Sequence, residues 1–77
     1  MGYTIPDVKL TKQVIHTAYG MSFAKAYALC RDAGLDKRDA ESCLFHLAKA
    51  LHEDKQIGMD AIRAHLILER ANREKQQ

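Results

Sequence analysis

The sequence has no long apolar run and no tryptophan, and it contains one proline and two cysteines among its 77 residues. No segment approaches the roughly 20 consecutive apolar residues that cross a bilayer, so we expect no transmembrane helix and no membrane partner. The apolar core of a secretory leader is also missing, which favours a cytoplasmic protein.

A strong charge of either sign is lacking as well. The net charge is +2, because residues 1–38 carry six Lys and Arg against three acids and residues 39–77 carry six against seven. That balance is too weak for binding driven by phosphate neutralisation alone. Alanine, in contrast, is abundant: its 11 copies permit close contact between helices but leave each helix a thin apolar stripe.

Motifs for metal binding and catalysis are absent from the sequence. Its histidines and cysteines form no CxxC, HxxxH or HExxH pattern, although Cys43 and His46 lie three positions apart. Cys30 and Cys43 fall on apolar faces, where thiolate formation is disfavoured, so we interpret both as buried thiols in a reducing compartment. There is no glycine-rich phosphate loop, and we expect no enzyme, no cofactor and no metal.

The length predicts a single small domain over residues 1–77. Area scaling for a chain of this mass indicates that folding buries roughly 60% of the unfolded surface, so the expected stability of the monomer is marginal. Small helical proteins often bury additional surface by dimerising. The apolar share of 47% is that of a globular protein.

Residues 36–54 form the strongest predicted element and the expected centre of the fold. Asp36 suits a helix N-cap, and the apolar residues then recur with the i, i+3, i+4, i+7 spacing of one helical face. The members of that face are Ala40, Cys43, Leu44, Leu47, Ala48 and Leu51. We therefore predict an all-α fold, a small bundle of three to four short helices around this central helix.

The remaining elements follow from breakers and periodicity. Residues 1–9, with Pro6, predict an extended arm, and residues 11–19 predict a first helix that ends before Gly20. Ser22 predicts the N-cap of a second helix over residues 23–33, and Gly34 its left-handed C′ residue. A last helix is predicted over residues 59–73, and the charged segment 70–77 is expected to fray.

The corner at Gly34 resembles the helix-turn-helix segments of phage and plasmid regulators over about a quarter of the chain. Cys30 and Leu35 flank the glycine, and Ala40 and Cys43 face back from the second helix. The resemblance implies DNA binding, with the exposed start of that helix reading bases. The residues in that position are Lys37, Arg38, Glu41 and Ser42, of which Arg38 is the natural guanine ligand.

Two features oppose the DNA-binding hypothesis and favour a corner that only connects two helices. Asp36, Asp39 and Glu41 place three acids on the surface that faces DNA. The second helix is also long, and it is too apolar at Leu44, Leu47 and Leu51 to lie free in a groove.

A protein-binding surface is the leading hypothesis. Phe45 departs from the main apolar face of the central helix and lies on one line with Glu41, where it either packs under the first helix or is exposed as an anchor for a partner. The last helix has a broad apolar arc that consists of two adjoining lines of apolar residues. A small monomer has few other helices that could cover both lines. The candidate partner-binding residues are Phe45, Glu41, Ile62, Leu66 and Tyr19.

The expected function is that of a small regulatory or adaptor protein that binds another protein or itself, as a homodimer. Small phage, plasmid or bacterial inhibitors share this size and charge balance.

Overall fold

The protein, described here from a computed structural model that covers residues 8–75, folds into four α-helices with no strand in that range. The all-α prediction is confirmed. The helices are α1 (Val8–Tyr19), α2 (Phe23–Asp32), α3 (Lys37–His52) and α4 (Met59–Lys75).

Helix α3 is the centre of the bundle, as its periodicity predicts. It contacts each of the other three helices and contacts α4 most extensively. Five residues of the predicted face are buried, namely Ala40, Cys43, Leu44, Leu47 and Ala48, and Leu51 is half-buried against the core. Asp36 caps the helix as expected, because its side chain accepts a hydrogen bond of 2.7 Å from the backbone N–H of Asp39.

Helix α1 begins earlier than the sequence suggested. Val8 and Lys9, assigned to the extended arm, form the first turn of α1, since the residues from Val8 to Thr11 include no glycine or proline to stop a helix. The rest of the predicted arm, residues 1–7, lies outside the described residues. The line of α1 that enters the core is Thr11, Ile15 and Tyr19.

Helix α4 also extends beyond its predicted end, by two residues to Lys75. Residues 70–75 of the segment expected to fray are therefore helical, and residues 76 and 77 lie outside the described residues. An ion pair between Arg70 and Glu74, spaced i, i+4 and exposed, lies in this last part of α4 and adds a few tenths of a kcal/mol to a helix.

The corners after α2 and α3 share one geometry, the Schellman motif. After α2, the N–H of Leu35 bonds the carbonyl of Cys30 and the N–H of Gly34 bonds that of Arg31. After α3, Lys55 and Asp54 bond the carbonyls of Ala50 and Leu51 in the same pattern. The motif needs a left-handed residue at C′. Gly34 meets that need with φ of 106°, whereas Asp54 meets it with φ of 55° as a residue that has a Cβ.

Because the two corners differ in the residue at C′, opposite substitutions should have opposite effects. We expect Gly34→Ala to lower the free energy of unfolding by about 1 kcal/mol and Asp54→Gly to raise it by about 0.5 kcal/mol. Urea unfolding followed by circular dichroism measures both. A Cβ added at Gly34 would have no atom within 4 Å, so no steric clash obscures the effect of the backbone conformation there. Equal and same-signed changes would contradict the assignment of left-handed strain to Asp54.

Candidate protein-binding surfaces

Helix α4 packs into the bundle through one of its two apolar lines. Ala61, Ala64 and Leu68 are 2%, 0% and 0% exposed. Two of these three side chains are single methyl groups, so the helix lies close to its neighbours and buries little apolar area per turn.

The second apolar line of α4 remains outside. Met59 is 86% exposed and Leu66 is 55% exposed, and Ile62 between them is half-buried. We call these three residues the α4 stripe. Among residues 8–75, the only other large apolar side chain with comparable exposure is Val8. Charged side chains of both signs border the stripe: Arg63, Arg70, Asp60 and Glu69 are all exposed, and Arg70 is paired with Glu74.

Phe45 and Glu41, the other candidates on α3, have different environments. The ring of Phe45 is half-buried and stacks on Phe23 of α2, with centroids 5.8 Å apart and planes inclined by 29°. Phe45 is thus held by its own chain on one side, through its contact with α2. Glu41, one turn earlier, is exposed.

Tyr19 is not on the surface, and this corrects its assignment as a partner-binding residue. It is 8% exposed and belongs to the core. Its hydroxyl lies 2.7 Å from Nδ1 of His65, and its carbonyl accepts a 2.9 Å hydrogen bond from the side-chain amide of Asn72. Tyr19 therefore joins the end of α1 to α4 and does not extend a partner surface.

These contacts form a polar tie that the sequence reasoning missed. His65 also contacts the carboxylate of Glu69 through Nε2. With neutral His65, Nε2–H donates to Glu69 and Nδ1 accepts from the Tyr19 hydroxyl. Burial, and then the charge of Glu69, raise the pKa of Tyr19 to about 12. The spacing of His65, Glu69 and Asn72 along one face of α4 was the available signal, but it did not identify Tyr19 as their partner.

The two cysteines lie in the core as predicted. Both are free and buried. Burial, and then the neighbouring Cys43, raise the pKa of Cys30 to about 11, and burial also raises the pKa of Cys43. Neither thiol has the environment of an activated nucleophile.

The histidines do not converge on a metal site within the part of the chain that the structure describes, where no group of three His, Cys, Asp or Glu side chains comes together. Cys43 is buried while His46 is exposed. The Nδ1 of His46 lies 2.8 Å from the carbonyl oxygen of Ser42, so Nδ1–H donates within its own helix.

The corner between α2 and α3 buries the residues that a helix-turn-helix requires to be inside. Cys30, Leu35, Ala40 and Cys43 are all buried. The four candidate DNA-contacting residues, Lys37, Arg38, Glu41 and Ser42, are all exposed. Leu44 and Leu47, which argued against a free reading helix, turn inward to the core, so the outer face of α3 is mainly polar.

No known protein family, curated protein or solved structure matches this chain. None of the helices within residues 8–75 has the length and apolar character needed to cross a membrane.

The polar tie predicts an alkaline limit to stability. Tyr19 has a folded pKa above its usual value of 10.0, so the stability it provides is complete below about pH 10 and is lost as the pH rises through about 12. Absorbance titration near 295 nm should show a late tyrosine step in the wild type that is missing in Tyr19→Phe.

The same variant loses the hydrogen bond to His65, and we expect it to unfold about 1 kcal/mol more easily at neutral pH. Tyr27→Phe, on half-buried Tyr27 of α2, is the matched control and should leave the late step in place. A late step that survives in Tyr19→Phe would show that another phenol is responsible for it.

Proposed function

We propose that the protein is a small non-enzymatic regulator or adaptor that acts by binding a protein, including a second copy of itself. The observation that carries this proposal is the division of α4 into two apolar lines. Ala61, Ala64 and Leu68 attach the helix to the bundle, and the larger side chains of the α4 stripe face outward.

The size of the stripe sets the expected affinity. From Met59 to Leu66 the helix rises roughly 10 Å, and a helix face is also about 10 Å wide. Pairing two such faces buries a few hundred Å², well below the roughly 1,200 Å² of a stable interface. Self-association through the stripe alone is therefore weak and depends on concentration, and tight binding requires a partner that also covers the charged residues on its flanks.

A non-enzymatic role is supported by the chemistry of the side chains. Raised pKa values keep Cys30 and Cys43 protonated at neutral pH, and the His65 ring is occupied by Tyr19 and Glu69. A cytoplasmic location is part of the proposal, and the two unpaired thiols support a reducing compartment.

Sedimentation velocity from about 10 μM to about 1 mM tests self-association. We expect the weight-average mass of the wild type to rise with concentration. The Leu66→Glu variant should remain monomeric, because pairing of two stripes would remove the introduced carboxylate from water. Val8→Glu is the matched control, since Val8 is 47% exposed but lies on α1, and it should associate like the wild type. A wild-type monomer throughout the range rejects the homodimer, and equal behaviour of both variants rejects the stripe as its interface.

Sequence-specific DNA binding is the second candidate, and the burial pattern of the α2–α3 corner favours it. The inward residues of that corner are apolar and the start of α3 is exposed, with Lys37, Arg38 and Ser42 available to base edges. Three carboxylates remain exposed at this surface: Asp36 caps α3, Asp39 is in its first turn, and Glu41 is on its outer face.

DNA selection from a random duplex library at low salt tests this candidate. If the corner reads DNA, a site is enriched, and Arg38→Ala abolishes a salt-dependent mobility shift while the circular dichroism spectrum is retained. Arg63→Ala removes an equally exposed arginine from α4 and should leave the shift intact. Absence of any enriched duplex rejects the DNA-binding candidate.

A further inference from the structure

The near-zero net charge hides a segment without a single acid. Residues 8–31, which form α1 and most of α2, contain Lys9, Lys12, Lys25 and Arg31 and no Asp or Glu. Their net charge is +4, and the other residues carry eight Lys and Arg against ten acids, or −2, which sums to the total of +2. This segment of the chain therefore carries only basic charges.

This basic part contains a surface groove of about 470 Å³ between α1 and the start of α2. Apolar atoms make up most of its lining. The residues around it are Lys12, Gln13, His16, Ser22, Phe23 and Ala24, none of which is acidic. Lys12 and His16 lie on one face of α1, one turn apart, and both are exposed. Within residues 8–75, Lys12 forms no ion pair.

The floor and end of the groove are held by contacts within the chain. Phe23 is half-buried, and its ring is stacked on Phe45 at 5.8 Å. Ser22 caps α2 by accepting a 3.1 Å hydrogen bond from the N–H of Lys25. A preformed apolar floor reduces the ordering cost that a ligand must overcome.

We propose that the α1–α2 groove docks an acidic peptide segment of another protein, with an apolar anchor side chain of the peptide on Phe23 and a carboxylate beside Lys12. This surface is separate from the α4 stripe. It would make the protein an adaptor with two binding faces, of which this one selects its partner by charge.

The composition of the groove favours a peptide over nucleic acid. Lys12 is the one lysine or arginine among the lining residues, whereas binding driven by phosphate requires several neutralised charges. An apolar floor matches a leucine or an aromatic side chain and offers nothing to a phosphate-sugar backbone.

The α4 stripe of a second copy is also a poor occupant of the groove. The stripe is flanked by Arg63 and Arg70, which are exposed. Exposed Asp60 and Glu69 lie on the same helix and Arg70 is paired with Glu74, so the surroundings of the stripe have no net negative charge to complement Lys12 and the acid-free segment. An acidic flank around the apolar anchor is therefore the complementary chemistry.

The test titrates the full-length ¹⁵N-labelled protein with a peptide of about 12 residues that is rich in Glu and Asp and carries two leucines four positions apart. We expect amide shifts centred on Lys12, His16 and residues 22–24, with binding that weakens as salt is added. A peptide with serine in place of both leucines, and one with lysine in place of every acid, should each bind at least about tenfold more weakly.

Variants of the groove provide the second measurement. Phe23→Ala should weaken the acidic peptide about tenfold. Lys12→Glu should do the same without disturbing the core, because Lys12 is exposed. Lys37→Glu makes the same charge change at an exposed lysine outside the groove and should bind like the wild type. Leu66→Glu, which disrupts the α4 stripe, should also bind the peptide like the wild type. The result for the groove is therefore independent of the result for the stripe on which the proposed function rests.

Several results would overturn the proposal. One is the absence of shifts at the groove at millimolar peptide, and another is equal binding of the lysine-substituted peptide. Shifts at the same residues from a DNA or RNA oligonucleotide, with none from the peptide, would assign the surface to nucleic acid. Shifts there on concentrating the protein alone, unaffected by the peptide, would assign it to a second copy.

Discussion

The close attachment of α4 to the rest of the bundle is the constraint on which the other features depend. Helix α3 contacts α4 more extensively than it contacts α1 or α2, and the buried line of α4 is Ala61, Ala64 and Leu68. Small side chains bring helix axes close together, but each buried methyl contributes only about 0.8 kcal/mol. The helix is therefore held along a narrow line to which Leu68 contributes the one large fully buried side chain, while Met59 and Leu66 stay exposed.

Polar contacts add to the thin apolar attachment of α4. His65 and Asn72 form hydrogen bonds with the hydroxyl and the carbonyl of Tyr19, and these bonds fix that part of the helix to α1. The α4 stripe runs from Met59 to Leu66, so its last residue lies within the fixed part. A partner that covers the stripe therefore meets an ordered surface and loses little entropy by ordering it.

Charge is divided in a similar way between faces of one nearly neutral chain. The acid-free segment formed by residues 8–31 surrounds the α1–α2 groove, while the acids begin again at Asp32 and are frequent around the corner that leads into α3. A total charge near zero is compatible with strong local preferences, since screening limits each charge to neighbours within about 10 Å. The α4 stripe and the α1–α2 groove differ in their chemistry and are suited to different partners.

The sequence by itself determined the elements of this protein. The 3.6-residue period of α3, the cap at Asp36 and the stops at Gly20 and Gly34 depend on local geometry, so they could be read from neighbouring residues. The two apolar lines of α4 were visible for the same reason. Only the tertiary structure decided which line packs inward, that Tyr19 belongs to the core beside His65, and that Phe45 rests on Phe23. Those outcomes depend on contacts between residues 22 to 53 positions apart, and the periodicity of a single helix carries no information about which distant side chain it will meet.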